Sequence, residues 1–490
     1  MQTVYLEDVY CDSGVPKYTF VTPNEYTRTK VSLRTKGRGV VVEGPSGIGK
    51  TTCIKRILEE LELPARTFSA RVPKDIEEIA TVLDNPDNAG VIIVDDFHLL
   101  DDEMKKAFSN LLKVLADESR EDIKLVLIGI NRAGECLVQL APDLNNRIDT
   151  IRFEKNPKDK ILELISKGEK VLNVSISSKE QIAERSFGSF QIAQMLCKAV
   201  CVAQDIIESQ TELTTIDVPF ESVVANQMQE LSRVFSPIAK LFAAGNRNRR
   251  NGHAPYLMLM RWLSETENGS LQMDEVYMSH PKFKASISQI ADKGYITQLI
   301  EKNDSVAKVL YYEPGAKLLV VEDPKFIFFI KNIDWEKFAK EMGFNQVQTD
   351  TQYDFALSFS GEKRVYAQKL FDYLSENELS VFYDKDLAAD IWGKDLEDYF
   401  TPIYESEARY VIAMIDASYP KKVWAVFESE KYKKRRGDES VLPILFEDFI
   451  PSPLDSLYSK GFERIDSTDP DIDGQVARVG EMLIKKISLS

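Results

Sequence analysis

The chain has 490 residues, 43% of them hydrophobic and 29% charged, with a formal net charge of −16 at pH 7. Such a length implies roughly three cores rather than one, and the surplus of carboxylates excludes a general nucleic-acid coat protein, which needs a dominant basic surface to release counterions from phosphates. No apolar run reaches the roughly 18 residues of a bilayer span. The start, Met1 to Cys11, is acidic rather than signal-like, so a cytoplasmic address without a membrane partner is expected. The five cysteines, Cys11, Cys53, Cys136, Cys197 and Cys201, have neither CxxC spacing nor nearby histidines. That argues against disulfides and zinc and for small buried apolar roles, with Cys197 and Cys201 one helical turn apart.

Residues 1–39 form an N-terminal segment, after which Val40 to Glu43 reads as a short strand running straight into Gly44. An amphipathic helix follows from Thr51 to Leu61. Gly90 to Val94 and Lys124 to Ile130 are short, Val/Ile/Leu-rich and separated by helical stretches, which predicts buried parallel strands, and Asp149 to Phe153 offers one more. A doubly wound α/β core over 40–155 results. Helical periodicity then runs from Asp159 to about Ala244, with Gly188 and Ser189 as a cap or break and no convincing strand, predicting a helical lid over 156–246.

After the polar break Arg247 to Gly252, helices at Pro255 to Leu263 and Lys284 to Lys293 precede two strands, Lys308 to Tyr312 and Leu318 to Val321, joined by a Pro-Gly turn. This predicts a winged-helix module over 247–345. Strands at Asp354 to Ser358, Ser380 to Tyr383, Tyr410 to Ile415 and Ser440 to Phe446 alternate with helices around Val365 to Leu374, Leu396 to Glu405 and Trp424 to Lys433. A second, smaller parallel α/β domain over 350–490 follows.

Gly44-Pro45-Ser46-Gly47-Ile48-Gly49-Lys50-Thr51, continued by Thr52, matches the P-loop pattern between a strand and a helix. Its glycines let backbone N–H groups turn inward to phosphates, and the helix N-terminus adds favourable partial charge. Lys50 is the expected partner of the β- and γ-phosphates of ATP, and Thr51 and Asp95 the expected ligands of Mg²⁺. Asp96 stands where a base would polarise the attacking water, with a solvated strand-end acid as the alternative. Being shorter than Glu, it argues for slow hydrolysis.

The loop and the Asp95-Asp96 pair resemble the AAA+ and STAND class of P-loop ATPases, over roughly residues 15 to 330. The resemblance implies nucleotide held between core and lid, ring-like self-assembly, and Asn131 as a sensor of the γ-phosphate. Arg147 looks like the arginine that reaches a neighbouring subunit's nucleotide; a surface helix-end arginine is the alternative. Gly188-Ser189-Phe190-Gln191 offers no second-sensor arginine, which argues against a motor.

Tyr353 to Glu362, Val381 to Asp384, Ile391 to Leu396, Tyr410 to Ile415 and Trp424 to Glu428 resemble, in order, a bacterial TIR domain with its flavodoxin-like fold. TIR domains serve as assembly modules or cleave NAD⁺ between nicotinamide and ribose. The resemblance makes Glu428, four residues after Trp424, the catalytic carboxylate; on spacing alone it would be a solvated helix acid. It places Phe359, Ser360 and Arg364 over the nicotinamide and phosphates and adds Asp384, Trp392 and Trp424 to the NAD⁺ contacts, with Trp392 in a loop used between TIR domains.

The expected function is an ATP-gated NAD⁺ hydrolase, activated by homo-oligomerisation, that depletes NAD⁺ in bacterial antiphage defence, giving ADP-ribose or a cyclic variant. Its trigger would be a separately encoded or phage-derived partner. The alternative is a signalling scaffold whose ATPase controls TIR-mediated recruitment. A third reading, a DNA-remodelling motor, is disfavoured because the second helix of the winged module carries only Lys284 and Lys293.

Overall fold

The computed structural model describes residues 3–11, 14–130, 144, 146–247, 253–344, 351–383, 402–417, 440–447 and 461–489. Strands β1 (Gly39–Glu43), β2 (Ala65–Ser69), β3 (Gly90–Asp95), β4 (Ile123–Ile128) and β5 (Ile148–Arg152) form a parallel sheet in the order β2-β3-β4-β1-β5. Alternate side chains face opposite ways. Val41, Val94, Leu125 and Leu127 pack on helices Pro73–Asp84 and Asp102–Asp117, whereas Val40, Val42, Val126 and Ile128 pack on Tyr26–Arg34 and Lys50–Glu60. Both faces are covered, so these strands read as continuous apolar runs. The edge strand β2 carries three exposed residues and escaped that pattern. Strand β4 ends at Ile128, two residues before the expected end, although the Gly129 amide still donates to Val42 O at 2.9 Å.

Helices Lys158–Leu172, Lys179–Arg185 and Phe190–Ala203 follow, and Cys197 and Cys201 are fully buried among them. The expectation of no strand here is corrected by a parallel pair, β6 (Val174–Ile176) with β7 (Thr214–Ile216). Three-residue strands are too short to impose a period on the sequence. The start of the N-terminal segment belongs to this body as well, since Leu6, Val9, Tyr10 and Val21 share its core with Ile161, Ile165 and Leu196.

Helix Phe220–Ala244 spans about 37 Å at 1.5 Å per residue. Its first turns place Val223 and Val224 in that core, while Phe235, Ala239 and Phe242 enter the next one. The next body comprises helices Pro255–Glu265, Lys284–Asp292 and Pro324–Asn332 with an antiparallel sheet, β8 (Ser270–Gln272), β10 (Leu318–Val321) and β9 (Leu310–Glu313). The two expected strands, β9 and β10, are thus joined by β8, hidden in sequence by its polar ends.

The C-terminal sheet runs β12-β11-β13-β14-β15, all parallel, from β11 (Tyr353–Phe359), β12 (Val381–Phe382), β13 (Ala408–Ile415), β14 (Val441–Phe446) and β15 (Glu463–Ile465). Helices Arg364–Glu376 and Ile472–Leu489 bury Leu370, Leu374, Val476 and Val479 against it. The body is attached to its neighbour by Gln289 Nε2 donating to Ser375 O at 2.7 Å and by Asn246 and Tyr256 donating to Glu378 Oε1 at 2.8 and 3.1 Å. No described helix is long and apolar enough to cross a membrane.

Gly168 tests how tightly the N-terminal segment is seated. A Cβ there would lie 2.3 Å from Tyr10 Cζ, and the ring is held by full burial and a 3.1 Å bond from its hydroxyl to Ile165 O. Helix propensity alone would favour alanine by about 1 kcal/mol, but overpacking of this kind costs about 1–3 kcal/mol. Gly168→Ala is therefore expected to lower the thermal midpoint in scanning fluorimetry; a rise would show that Tyr10 can move aside.

Candidate functional site

The loop after β1 needs glycine for two separate reasons. Gly44, Gly47 and Gly49 have φ of 147°, 75° and 100°. Space is also short, because a Cβ at Gly44 would lie 2.3 Å from Phe153 O and one at Gly47 would lie 2.4 Å from Pro324 Cγ. Ile48 is 2% exposed and anchored in the core, so it serves the loop through its backbone alone. Helix Lys50–Glu60 begins immediately after, directing its free N–H groups toward the loop.

Lys50 Nζ donates to Gly44 O and Pro45 O, each at 2.8 Å. Burial pulls its pKa down to about 8, against the opposing pull of Asp95, Asp96 and Glu322. Thr51 Oγ1 donates to Asp95 Oδ2 at 2.9 Å. Burial and then the neighbouring Asp96 charge push the Asp95 carboxyl above its usual range. A hydroxyl and a half-buried, charge-crowded carboxylate are hard oxygen donors that fit Mg²⁺, which would supply positive charge there. Asp96, at a left-handed φ of 56°, accepts from Arg71 Nε at 2.8 Å and Ser69 Oγ at 3.4 Å. It is an ion-paired group rather than a solvated one.

Two cavities flank the loop and share Gly47, Gly49 and Thr52. One, of about 220 Å³, is lined by Ser46, Lys50, Thr51, Asp95 and Asp96, joined by Arg71 and Glu322, which the sequence reading had not singled out. The other, of about 280 Å³, lies between Thr19 and Phe20 of the N-terminal segment and Phe190 and Gln194 of the lid. Its apolar walls and buried amide suit a nucleobase, with the phosphates extending into the first cavity. Ser189, expected only as a helix cap, both caps Ile192 N and donates to Gly47 O at 3.1 Å.

Asn131 lies outside the described residues. Arg147 pairs with Asp117 at 2.8 Å and precedes β5, at the opposite end of the parallel strands from the loop; it lines neither cavity.

The C-terminal sheet offers a second site. With order β12-β11-β13, connections leave β11 and β13 toward opposite sides, and ligands bind beyond the carboxyl ends at such a switch point. Ser360, just past β11, donates to Asp416 Oδ2, just past β13, at 2.6 Å, and Asp416 is 2% exposed. The Arg364 guanidinium lies 5.3 Å over the Phe359 ring. Three expected residues are therefore brought together, while Asp384, Trp392, Trp424 and Glu428 lie outside the described residues. Asp416 was missed in sequence because it ends a strand with no motif around it. Beside it, Lys363 Nζ sits 4.3 Å over Phe446, and Glu447 accepts from Ser467 N at 2.7 Å. Burial raises the Glu447 carboxyl, but the Ser467 bonds outweigh this and hold it below its usual range.

The lysine generates a pH prediction. Phosphates raise the pKa of an ammonium they contact, so above about pH 8 binding must take up a proton at Lys50. Triphosphate affinity measured calorimetrically is expected to be flat below that pH and to fall above it, by on the order of tenfold per unit at the steepest. An affinity independent of pH up to about pH 9.5 would remove Lys50 from the phosphates.

Residues 20–131 match the family model described as Novel STAND NTPase 3, and residues 355–479 match that of the TIR domain. The chain is 35% identical over 124 residues to the 3' cyclic ADP-D-ribose synthase AaTIR of Aquimarina amphilecti, covering 24% of this chain and 37% of that protein. It is 26% identical over 191 residues to the Holliday junction branch migration complex subunit RuvB of Bifidobacterium longum, covering 34% of this chain and 53% of that one. The chain thus spans about half or less of the length of these curated relatives. Among solved structures, the Thermotoga maritima RuvB motor matches with a TM-score of 0.34 and 17% identity, over 65% of this chain and all of that one. The Aeropyrum pernix ORC2 protein matches with a TM-score of 0.34 and 11% identity, over 69% and 99%. The chain is a P-loop NTPase of the STAND class joined to a C-terminal TIR domain.

Proposed function

We propose that the chain is an NAD⁺-cleaving enzyme whose TIR domain is switched on by self-assembly under control of ATP and Mg²⁺ at the P-loop. One observation carries the reading: the TIR segment is 35% identical over 124 residues to a protein named as a cyclic ADP-ribose synthase. The crevice beyond β11 and β13, with Phe359, Ser360 and Arg364 gathered at its mouth, supports it. In the proposed reaction the bond between C1′ of the ribose and the nicotinamide nitrogen breaks and nicotinamide leaves with the bonding pair. Glu428 offsets the positive charge that develops on the ribose. Water then completes hydrolysis to ADP-ribose, or a group of the same nucleotide completes a cyclic product.

The proposed division of labour is an N-terminal segment over 1–39, a P-loop core over 40–155, a lid over 156–246, a winged-helix module over 247–345 and the TIR domain over 350–490. ATP occupancy sets assembly rather than powering motion, in keeping with an Asp96 held by Arg71 and the absence of a second-sensor arginine in the Gly188 to Gln191 segment. Depletion of NAD⁺ in response to a phage-derived or separately encoded trigger is the proposed cytoplasmic role.

Incubation with NAD⁺ and ATP is expected to release nicotinamide, and Glu428→Gln to reduce that release by at least about a hundredfold. Lys50→Ala is expected to abolish both ATP-dependent assembly, read by light scattering, and NAD⁺ loss. ATP-dependent assembly without nicotinamide under any trigger would instead identify a scaffold.

A further inference from the structure

Arg71, between β2 and helix Pro73–Asp84, and Glu322, just past β10, meet across the phosphate cavity. Arg71 Nε donates to Asp96 Oδ2 at 2.8 Å, and its terminal nitrogen pairs with Glu322 Oε2. The other Glu322 oxygen pairs with His98 Nε2. The side chains of Glu322 and His98 are 2% and 6% exposed, whereas Arg71 is 37% exposed. Burial raises the Glu322 carboxyl, but His98 and Arg71 outweigh it and hold the group below its usual range, as a carboxylate.

The described lining of this cavity holds three carboxylates, Asp95, Asp96 and Glu322, against two cations, Lys50 and Arg71. With Asp95 and Thr51 set to hold Mg²⁺, Asp96 and Glu322 still face an entering phosphate, and Arg71, paired with both, is the cation beside them. Direction along the loop identifies which phosphate is concerned: the base cavity lies at the Thr19 and Phe190 end, while Arg71, Asp96 and Glu322 line the other cavity, beyond the shared Gly47, Gly49 and Thr52. The planar guanidinium suits phosphate oxygens as well as it suits carboxylates.

We propose that Arg71 is a ligand of the terminal phosphate of a bound nucleoside triphosphate, and that Glu322 competes with that phosphate for it. The inference rests on nucleotide binding at the P-loop. A triphosphate then draws Arg71 from Glu322, leaving His98 as that carboxylate's remaining described partner and weakening the tie between the core and the body that carries β8, β9 and β10. A diphosphate lacks the competing group and leaves the tie closed. Because the same body holds the TIR domain through Gln289 and Tyr256, the tie connects the two sites.

The test is equilibrium titration of the full chain with a non-hydrolysable ATP analogue and with ADP, each with Mg²⁺. Arg71→Gln is expected to lose on the order of ten- to a hundredfold in analogue affinity while ADP affinity stays within about twofold, and Arg71→Lys to recover part of the loss. Glu322→Gln is expected to tighten the analogue several-fold and leave ADP unchanged. Equal loss of both ligands in Arg71→Gln, no loss of either, or unchanged analogue affinity in Glu322→Gln would overturn the proposal. Thermal melting identifies any variant that has lost its fold; if Arg71→Gln has, Arg71→Lys and Glu322→Gln decide. A wild type that binds neither ligand overturns the nucleotide site itself, whereas loss of both in Lys50→Ala alone upholds that site whatever Arg71 does.

Discussion

At Gly47 the missing side chain lets separate parts of the chain converge on one peptide. Its carbonyl accepts from Ser189 Oγ at 3.1 Å and from Gln191 N at 3.3 Å, both at the start of a lid helix. On the same residue, Pro324 stands where a Cβ would collide, and Pro324 opens the helix that follows the antiparallel sheet. Core, lid and the third body therefore register on the phosphate loop itself, and any ligand that reshapes the loop acts on all of them at once.

The links beyond that point include buried polar contacts. A buried carboxylate such as Glu322 gains little net stability from its ion pairs, because desolvation offsets most of the Coulombic attraction. What it supplies is a polar contact that another anion can replace, which an apolar contact cannot offer. Helix Phe220–Ala244, buried at one end in the lid core and at the other in the next core, links the two bodies and carries Pro237 in its interior. The TIR domain is fastened to the third body through short polar contacts at Ser375 and Glu378.

The TIR sheet solves a different problem with the same geometry. Parallel strands must return by crossovers, and where successive crossovers leave on opposite faces a crevice opens beyond the strand ends. Ser360 and Asp416 join the ends of β11 and β13 through a short hydrogen bond, so the two side chains hold each other in place there.

Much of this was legible in the order of residues. The glycine loop, the apolar strands ending in Asp95-Asp96 and the helix starts are local patterns, set by backbone sterics and by period-two or 3.6 burial within a few residues. Short or polar elements such as β2, β6, β7 and β8 were not legible, because their burial comes from neighbours distant in the chain. The same holds for the groups that complete the sites: Thr19, Arg71, Phe190, Glu322 and Asp416 carry no motif, and only packing brings them to a cavity. Sequence by itself determined that a phosphate loop and a TIR domain are present. Tertiary structure decided that an arginine after β2 and a buried glutamate after β10 share a charge in front of that loop, since an ion pair between residues 251 positions apart is fixed by three-dimensional approach and not by spacing.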